Sequence, residues 1–161
     1  MSRPTPPPDP PPLFTIGYEE ARFDEVRTAL RAAGVQLVID VRAIASSRRA
    51  GFSKRLLAEE LAEAGIGYEH LRDLGTPKPG RDAARRGDIS GMERVFRAHM
   101  AEPAALFALG TASERARTGR ACLLCFERDH RFCHRRLVAD MIRAGKGQAV
   151  VDLLPEKGFE T

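Results

Sequence analysis

At 161 residues the chain is the length of one domain with a core of its own, and its 43% hydrophobic and 30% charged content is that of a soluble globular protein. No apolar run approaches a membrane span, and the first twelve residues, MSRPTPPPDPPP, hold seven prolines and no apolar signal-peptide core. The net charge of +4 permits an anionic partner without establishing one; 22 of the 26 basic residues are arginine, which offers planar, bidentate donors to phosphate or carboxylate.

The proline-rich start, residues 1–12, reads as a stiff, disordered tail ahead of a single domain over residues 13–161. LFTI (13–16) is a short apolar strand ending at Gly17. Phe23, Val26, Leu30 and Ala33 have helical spacing, closed by Gly34. VQLVIDVR (35–42) is nearly continuous and β-branched, as in a strand covered on both faces. After a basic loop, Ser53 is placed to N-cap the helix KRLLAEELAEAG, and IGYEHL (66–71) is a third strand. Residues 72–90, rich in glycine, proline and charge, read as a long loop of the kind that carries function or is disordered. Helices are expected around 90–101 and 103–118, a strand at RACLLCF (120–126), a helix over RFCHRRLVADMIRAG and a last strand at QAVVDLL (148–154).

Alternating strands and helices imply a three-layer α/β/α domain with about five mostly parallel strands and helices on both faces. Ligands of such folds bind beyond the carboxyl ends of the strands. Unusual polar residues collect there: Gly17 and Tyr18 after the first strand, Asp40 and Arg42 after the second, His70 after the third, Cys125 and Glu127 after the fourth. Asp40, Glu127 and Cys125 are the candidates for chemistry. Gly17, Tyr18, Arg42, Arg49, Ser53, His70, Cys133, His134 and Arg135 are the candidates for ligand contact. Three cysteines, an odd number, argue against a secreted disulfide framework and for the cytoplasm.

The segments TIGY (15–18), VIDVR (38–42), SRRAGFS (47–53), YEHLRDLG (68–75) and LLCFERDHRFCHRR (123–136) resemble, in order, a family known as domain-of-unknown-function family 488. The cysteine segment is the most specific, with glutamate two residues after Cys125 and Cys-His-Arg beginning eight residues after it. The resemblance implies an α/β domain in the cytoplasm and no settled activity. The family usually has histidine at the position of Tyr18 and often proline at that of His130, so neither side chain inherits a family role.

Four readings of residues 122–136 compete. A zinc site is suggested by Cys122-x-x-Cys125 followed by Cys133-His134, but residues three apart on a strand face opposite sides. No metal and no cofactor is therefore expected, with Cys125, Cys133 and His134 left as an alternative three-ligand set. Cys125 and Arg131 match C-x5-R, and with VIDVR this is similar to thiol-dependent phosphatase or rhodanese-type sulfurtransferase domains; Glu127, Asp129 and the lack of glycine oppose an anion there. In the favoured reading, Arg42, Arg49 and Arg135 converge with a helix N-terminus on a phosphate-containing ligand, a nucleotide or nucleic acid. In the structural alternative, Cys122 is a buried hydrophobe, His134 a core histidine bonded to a strand-end carbonyl, His99 a packing residue, and Asp40–Arg42 or Glu127–Arg135 an ion pair holding loops. The sequence leaves open whether the protein is an enzyme or a nucleic-acid-binding module, and its oligomeric state.

Overall fold

The apolar runs lie side by side in one five-stranded sheet in the computed structural model, which describes residues 2–6, 8–144 and 147–157. The strands β1 (Leu13–Gly17), β2 (Leu37–Asp40), β3 (Gly67–His70), β4 (Ala121–Cys125) and β5 (Val150–Leu153) take the order β3-β2-β4-β1-β5, with every neighbouring pair parallel. Between them run helices α1 (Phe23–Ala32), α2 (Lys54–Glu63), α3 (Lys78–Arg85), α4 (Ile89–His99), α5 (Pro103–Thr118) and α6 (His134–Arg143).

The layers follow from the period of two along each strand. Phe14, Ile16, Val38, Cys122 and Leu124 face α1 and α2, where Val26, Leu30, Leu57 and Leu61 cover them. Leu13, Ile39, Leu123 and Cys125 face the other way, onto Met92 and Phe96 of α4, the alanine stripe of α5, and Leu137, Val138 and Ile142 of α6. Coverage on both sides explains why β1 and β4 are buried at every residue and read as unbroken apolar runs. It also sends Cys122 and Cys125 into opposite layers.

The expected long loop is corrected: residues 72–90 contain a 3-10 turn (Arg72–Leu74) and all of α3. Pro79 falls in the first turn of α3, where its missing N–H breaks no bond, and Lys78 pairs with Asp82 one turn on at 2.9 Å. Gly87, at φ +80°, ends the segment, and Asp88 caps α4 by accepting from Gly91 N at 2.9 Å. The glycines and prolines here punctuate helices. The last helix also starts later than its pattern suggests. Residues 130–132 form a 3-10 turn and α6 begins at His134; Gly145, where the expected helix ends, lies outside the described residues. Ser53 stands at the N-cap of α2, but its hydroxyl bonds Ser47 instead of the helix.

The described residues of the proline-rich start carry no helix or strand, and the carbonyl of Pro11 accepts from Gln148 Nε2 at 2.7 Å. Met1, Pro7 and residues 158–161 lie outside the described residues.

From β2 the chain moves to β3 at one edge of the sheet; from β4 it leads to β5 at the other edge. Since β2 and β4 are neighbours, their carboxyl ends flank the place where such sheets open a crevice. Two glycines let loops close over these ends. A Cβ on Gly17 would sit 1.7 Å from the Glu127 carbonyl oxygen, and one on Gly75 would sit 2.3 Å from the Ala43 backbone.

Candidate functional site

The end of β2 is a closed clamp. Asp40 is fully buried and Arg42, two residues on, is 4% exposed. Arg42 donates from Nε to Asp40 Oδ1 at 2.9 Å and from Nη2 to Oδ2 at 2.7 Å, and its backbone N–H adds a bond to Oδ1 at 3.1 Å. Tyr68 on β3 donates to Oδ2 at 2.6 Å. The Nη1 of Arg42 reaches the Tyr18 hydroxyl at 2.9 Å and the Phe52 carbonyl at 2.7 Å. Tyr18 stacks on Phe52 with ring centroids 4.3 Å apart. Burial pushes the phenols of Tyr18 and Tyr68 upward, and for Tyr68 the Asp40 carboxylate adds to it. Burial would weaken the Arg42 cation, yet Asp40 outweighs it and holds the guanidinium charged. His70 completes the corner, its Nε2 2.8 Å from the Arg42 carbonyl.

The end of β4 is a looser cluster of ionisable groups. Cys125 is the last residue of β4; Cys133 caps α6 and His134 opens it. The intervening chain folds back because Asp129 accepts from Arg131 N at 3.0 Å and starts the 3-10 turn. The wholly buried Arg135 donates to the carbonyls of Glu127 and Arg128. The Nδ1 of His134 then lies 3.8 Å from Cys125 Sγ and 3.9 Å from Cys133 Sγ, with Nε2 2.8 Å from the Val41 carbonyl. The ligand atoms of these three residues all fall within 4.8 Å of one another.

The electrostatics of this cluster are tightly coupled. Cys125 is raised well above an ordinary thiol, first by its contact with Cys133 and then by burial. Burial would raise Cys133 too, but hydrogen bonds with Cys125 and His134 prevail and hold it low. His134 responds in kind: burial opposes its charge, and the Cys133 sulfur overcomes that and raises it. The Glu127 carboxyl is pushed up to about 7 by burial and by Cys133, and its Oε2 is buried with no hydrogen-bond partner.

Between the two clusters lies a cavity of about 640 Å³. Tyr18, Arg42, Cys125, Glu127 and His134 line it, five of the residues singled out in the sequence. The others are placed elsewhere. Gly17 packs beneath the Glu127 carbonyl. Cys133 is buried just behind His134. Arg135 is committed to backbone carbonyls, not to the cavity. Arg49 bonds the Ala21 carbonyl beside a separate shallow groove that also holds Arg22 and Phe23. Asp40 sits inside the clamp, Ser53 bonds Ser47 and His70 bonds the Arg42 carbonyl.

Sequence reading missed the far wall. Arg81 and Arg85 of α3, with Thr76 just before it, line the cavity along with Phe126 and Phe132, which are 44% and 51% exposed. Arg81 gives Nη1 to the Thr76 carbonyl at 3.0 Å and Arg85 reaches Asp82 at 3.4 Å, so both guanidiniums retain donors. Thr76 Oγ1 is buried without a partner. The available signal was the four-residue spacing of Arg81 and Arg85, which puts both on one side of a helix once the segment is read as a helix. The C-x5-R pairing does not assemble: Arg131 is ion-paired to Asp129 at 2.7 Å and exposed.

Fold and site together define a parallel three-layer α/β domain with a strand-end pocket. Residues 22–142 match the family described as domain of unknown function DUF488, and the chain belongs to that family. No curated protein and no solved structure matches the chain. Among the described residues, no helix is long and apolar enough to cross a membrane.

Proposed function

We propose that this protein binds a phosphate-bearing small molecule of nucleotide type in the 640 Å³ cavity, with its ring against Phe126 and Phe132 and its phosphate on Arg81 and Arg85. The observation that carries the reading is that these two arginines and two half-exposed rings line one cavity, together with residues that end β2 and β4. Arginine forks grip phosphate oxygens bidentately, and half-exposed aromatic rings offer stacking surface. The phosphate donors are thus the α3 arginines. Arg42 has its guanidinium engaged within the protein, and Arg135 gives Nη1 and Nη2 to the carbonyls of Glu127 and Arg128, leaving only a buried Nε without a partner. Thr76 Oγ1 and Glu127 Oε2 are the polar atoms that a ligand or its waters would satisfy.

Thermal-shift titration with nucleoside mono- and diphosphates tests this. At least one should raise the melting temperature, and Arg81→Ala with Arg85→Ala should weaken its binding by tenfold or more, as expected for losing charge-assisted bonds of about 1.5–3 kcal/mol. No shift with any of them would overturn the reading.

A further inference from the structure

The arrangement of Cys125, Cys133 and His134 goes beyond ligand binding. His134 Nε2 lies 2.8 Å from the Val41 carbonyl, an acceptor only, so Nε2 carries the ring hydrogen. In the neutral ring, the form that binds a metal, Nδ1 is then the bare nitrogen, and it lies 3.8 and 3.9 Å from two sulfurs. Ligand atoms around a tetrahedral zinc, at bond lengths of 2.0–2.3 Å, stand roughly 3.5–3.8 Å apart. The two sulfur–nitrogen distances need to close by only a few tenths of an ångström, and all three ligand atoms already lie within 4.8 Å of one another. A carbonyl fixing the far nitrogen is the second support that zinc-bound histidines ordinarily have. Charge agrees as well, because two thiolates and a neutral imidazole cancel the ion's charge in a buried place. The soft sulfur pair selects zinc over calcium or magnesium.

We propose that Cys125, Cys133 and His134 bind one zinc ion whose fourth coordination position opens on the cavity. Cys125 and His134 both line that cavity, while Cys133 closes the site from behind. Three protein ligands with an open position is the layout of catalytic rather than structural zinc. Glu127 stands outside the three-ligand set but on the same wall, with Oε2 unpartnered. Zinc held there would activate a water for hydrolysis or hydrolytic deamination, and Glu127 would be the carboxylate lining the cavity beside it. Only that reaction class rests on the nucleotide reading; metal binding stands without it. This departs from the expectation of no metal, which rested on Cys122 and Cys125 pointing into opposite layers, as they do. The set proposed here leaves Cys122 out.

The test uses the full chain, purified reduced and anaerobically, stripped with chelator and titrated with zinc alone or cobalt alone. It should take up about one equivalent of either. The cobalt form should show the intense visible bands of four-coordinate cobalt and a thiolate charge-transfer band. Cys125→Ser and Cys133→Ala should each lose that uptake and both spectral features, while Cys122→Ala keeps them. Wild-type protein that is folded by circular dichroism yet binds no cobalt would overturn the proposal. So would one equivalent that survives both Cys125→Ser and Cys133→Ala. Nucleotide thermal shifts on the stripped protein report separately on the cavity's ligand, so the two readings fail by different measurements.

Discussion

Two polar clusters end neighbouring strands of one sheet, and they differ in how completely they are satisfied. At the end of β2, the Asp40 carboxylate accepts four hydrogen bonds, and Arg42 ties it to Tyr18 and the Phe52 carbonyl. At the end of β4, Glu127 Oε2 has no partner, and two sulfurs face one imidazole nitrogen at 3.8 and 3.9 Å. A fully bonded buried network fixes a shape; a half-bonded one leaves costly polar atoms for a ligand or water to satisfy. The crevice between β2 and β4 therefore has one wall that is fully bonded and another that keeps polar groups without partners.

The largest effect should come from breaking the closed wall. Asp40→Ala leaves the Arg42 cation buried and without its counter-ion, which typically costs about 3–5 kcal/mol. Urea denaturation should show that loss. Adding Arg42→Leu to Asp40→Ala should recover part of it, since the stranded charge is then gone. If Asp40→Ala moves the midpoint no more than an exposed substitution does, the clamp is not what holds the strand ends.

Tyr68→Phe removes one donor to the Asp40 carboxylate and should cost less, about 1.5–3 kcal/mol. The chain has two tyrosines and no tryptophan, and both phenols are raised, so absorbance at alkaline pH reads the clamp directly. Phenolate should appear only above the ordinary tyrosine range while the protein is folded. The sign follows from linkage. With folded values above the unfolded one, the stabilisation is full below pH ~10 and is lost as pH rises through the folded values. Ordinary titration of both tyrosines in folded protein would contradict a closed clamp.

How far each wall was legible in the sequence follows from the range of its interactions. Period and β-branching marked the strands, because burial on both faces leaves a continuous apolar run, as at LVID and ACLLC. Asp40 and Arg42 announced a shared face by their spacing of two. The Asp40–Arg42 ion pair was one of the readings of the sequence, but the further bonds of Arg42 to Tyr18 and Phe52, 24 and 10 residues away, were not visible. His134 bonding a strand-end carbonyl was foreseen from its place in the apolar stripe of α6; the acceptor is Val41, 93 residues distant. Arg81 and Arg85 are hidden in the sequence because glycine and proline signal loops and helix boundaries alike, and around α3 they are boundaries. Glycine is ambiguous in this way: Gly17 and Gly75 mark close approach, and Gly87 marks a helix end.

The open wall should respond differently. In metal-stripped protein, Cys133→Ala removes the N-cap acceptor of α6, a sulfur 3.5 Å from Arg135 N, and should cost about 0.5–1 kcal/mol. Asp40→Ala, one strand away, should cost several times as much in the same denaturation series. A loss at Cys133 equal to that at Asp40 would mean the cysteine cluster is structural after all, and the contrast between the two walls would go.

The smallest effect on stability belongs to Arg81. Its guanidinium lies on the outer wall of the cavity, with one bond to the Thr76 carbonyl at 3.0 Å and no ion pair among the described residues. A single hydrogen bond at a half-buried site is worth little net, because water replaces it when the side chain is removed. Arg81→Ala should shift the unfolding free energy by no more than about 0.5 kcal/mol. Its signature lies in binding, where a phosphate ligand should be weakened, tenfold or more when Arg85→Ala is added, at nearly unchanged melting temperature of the unliganded protein. Arg49→Ala is the matched control, an arginine of the same chain beside a different groove, and should leave both quantities alone. Should Arg81→Ala instead unfold the protein while Arg42→Ala leaves it intact, the assignment of the two walls is reversed. The arginine held by Asp40 would then be the one available to a ligand.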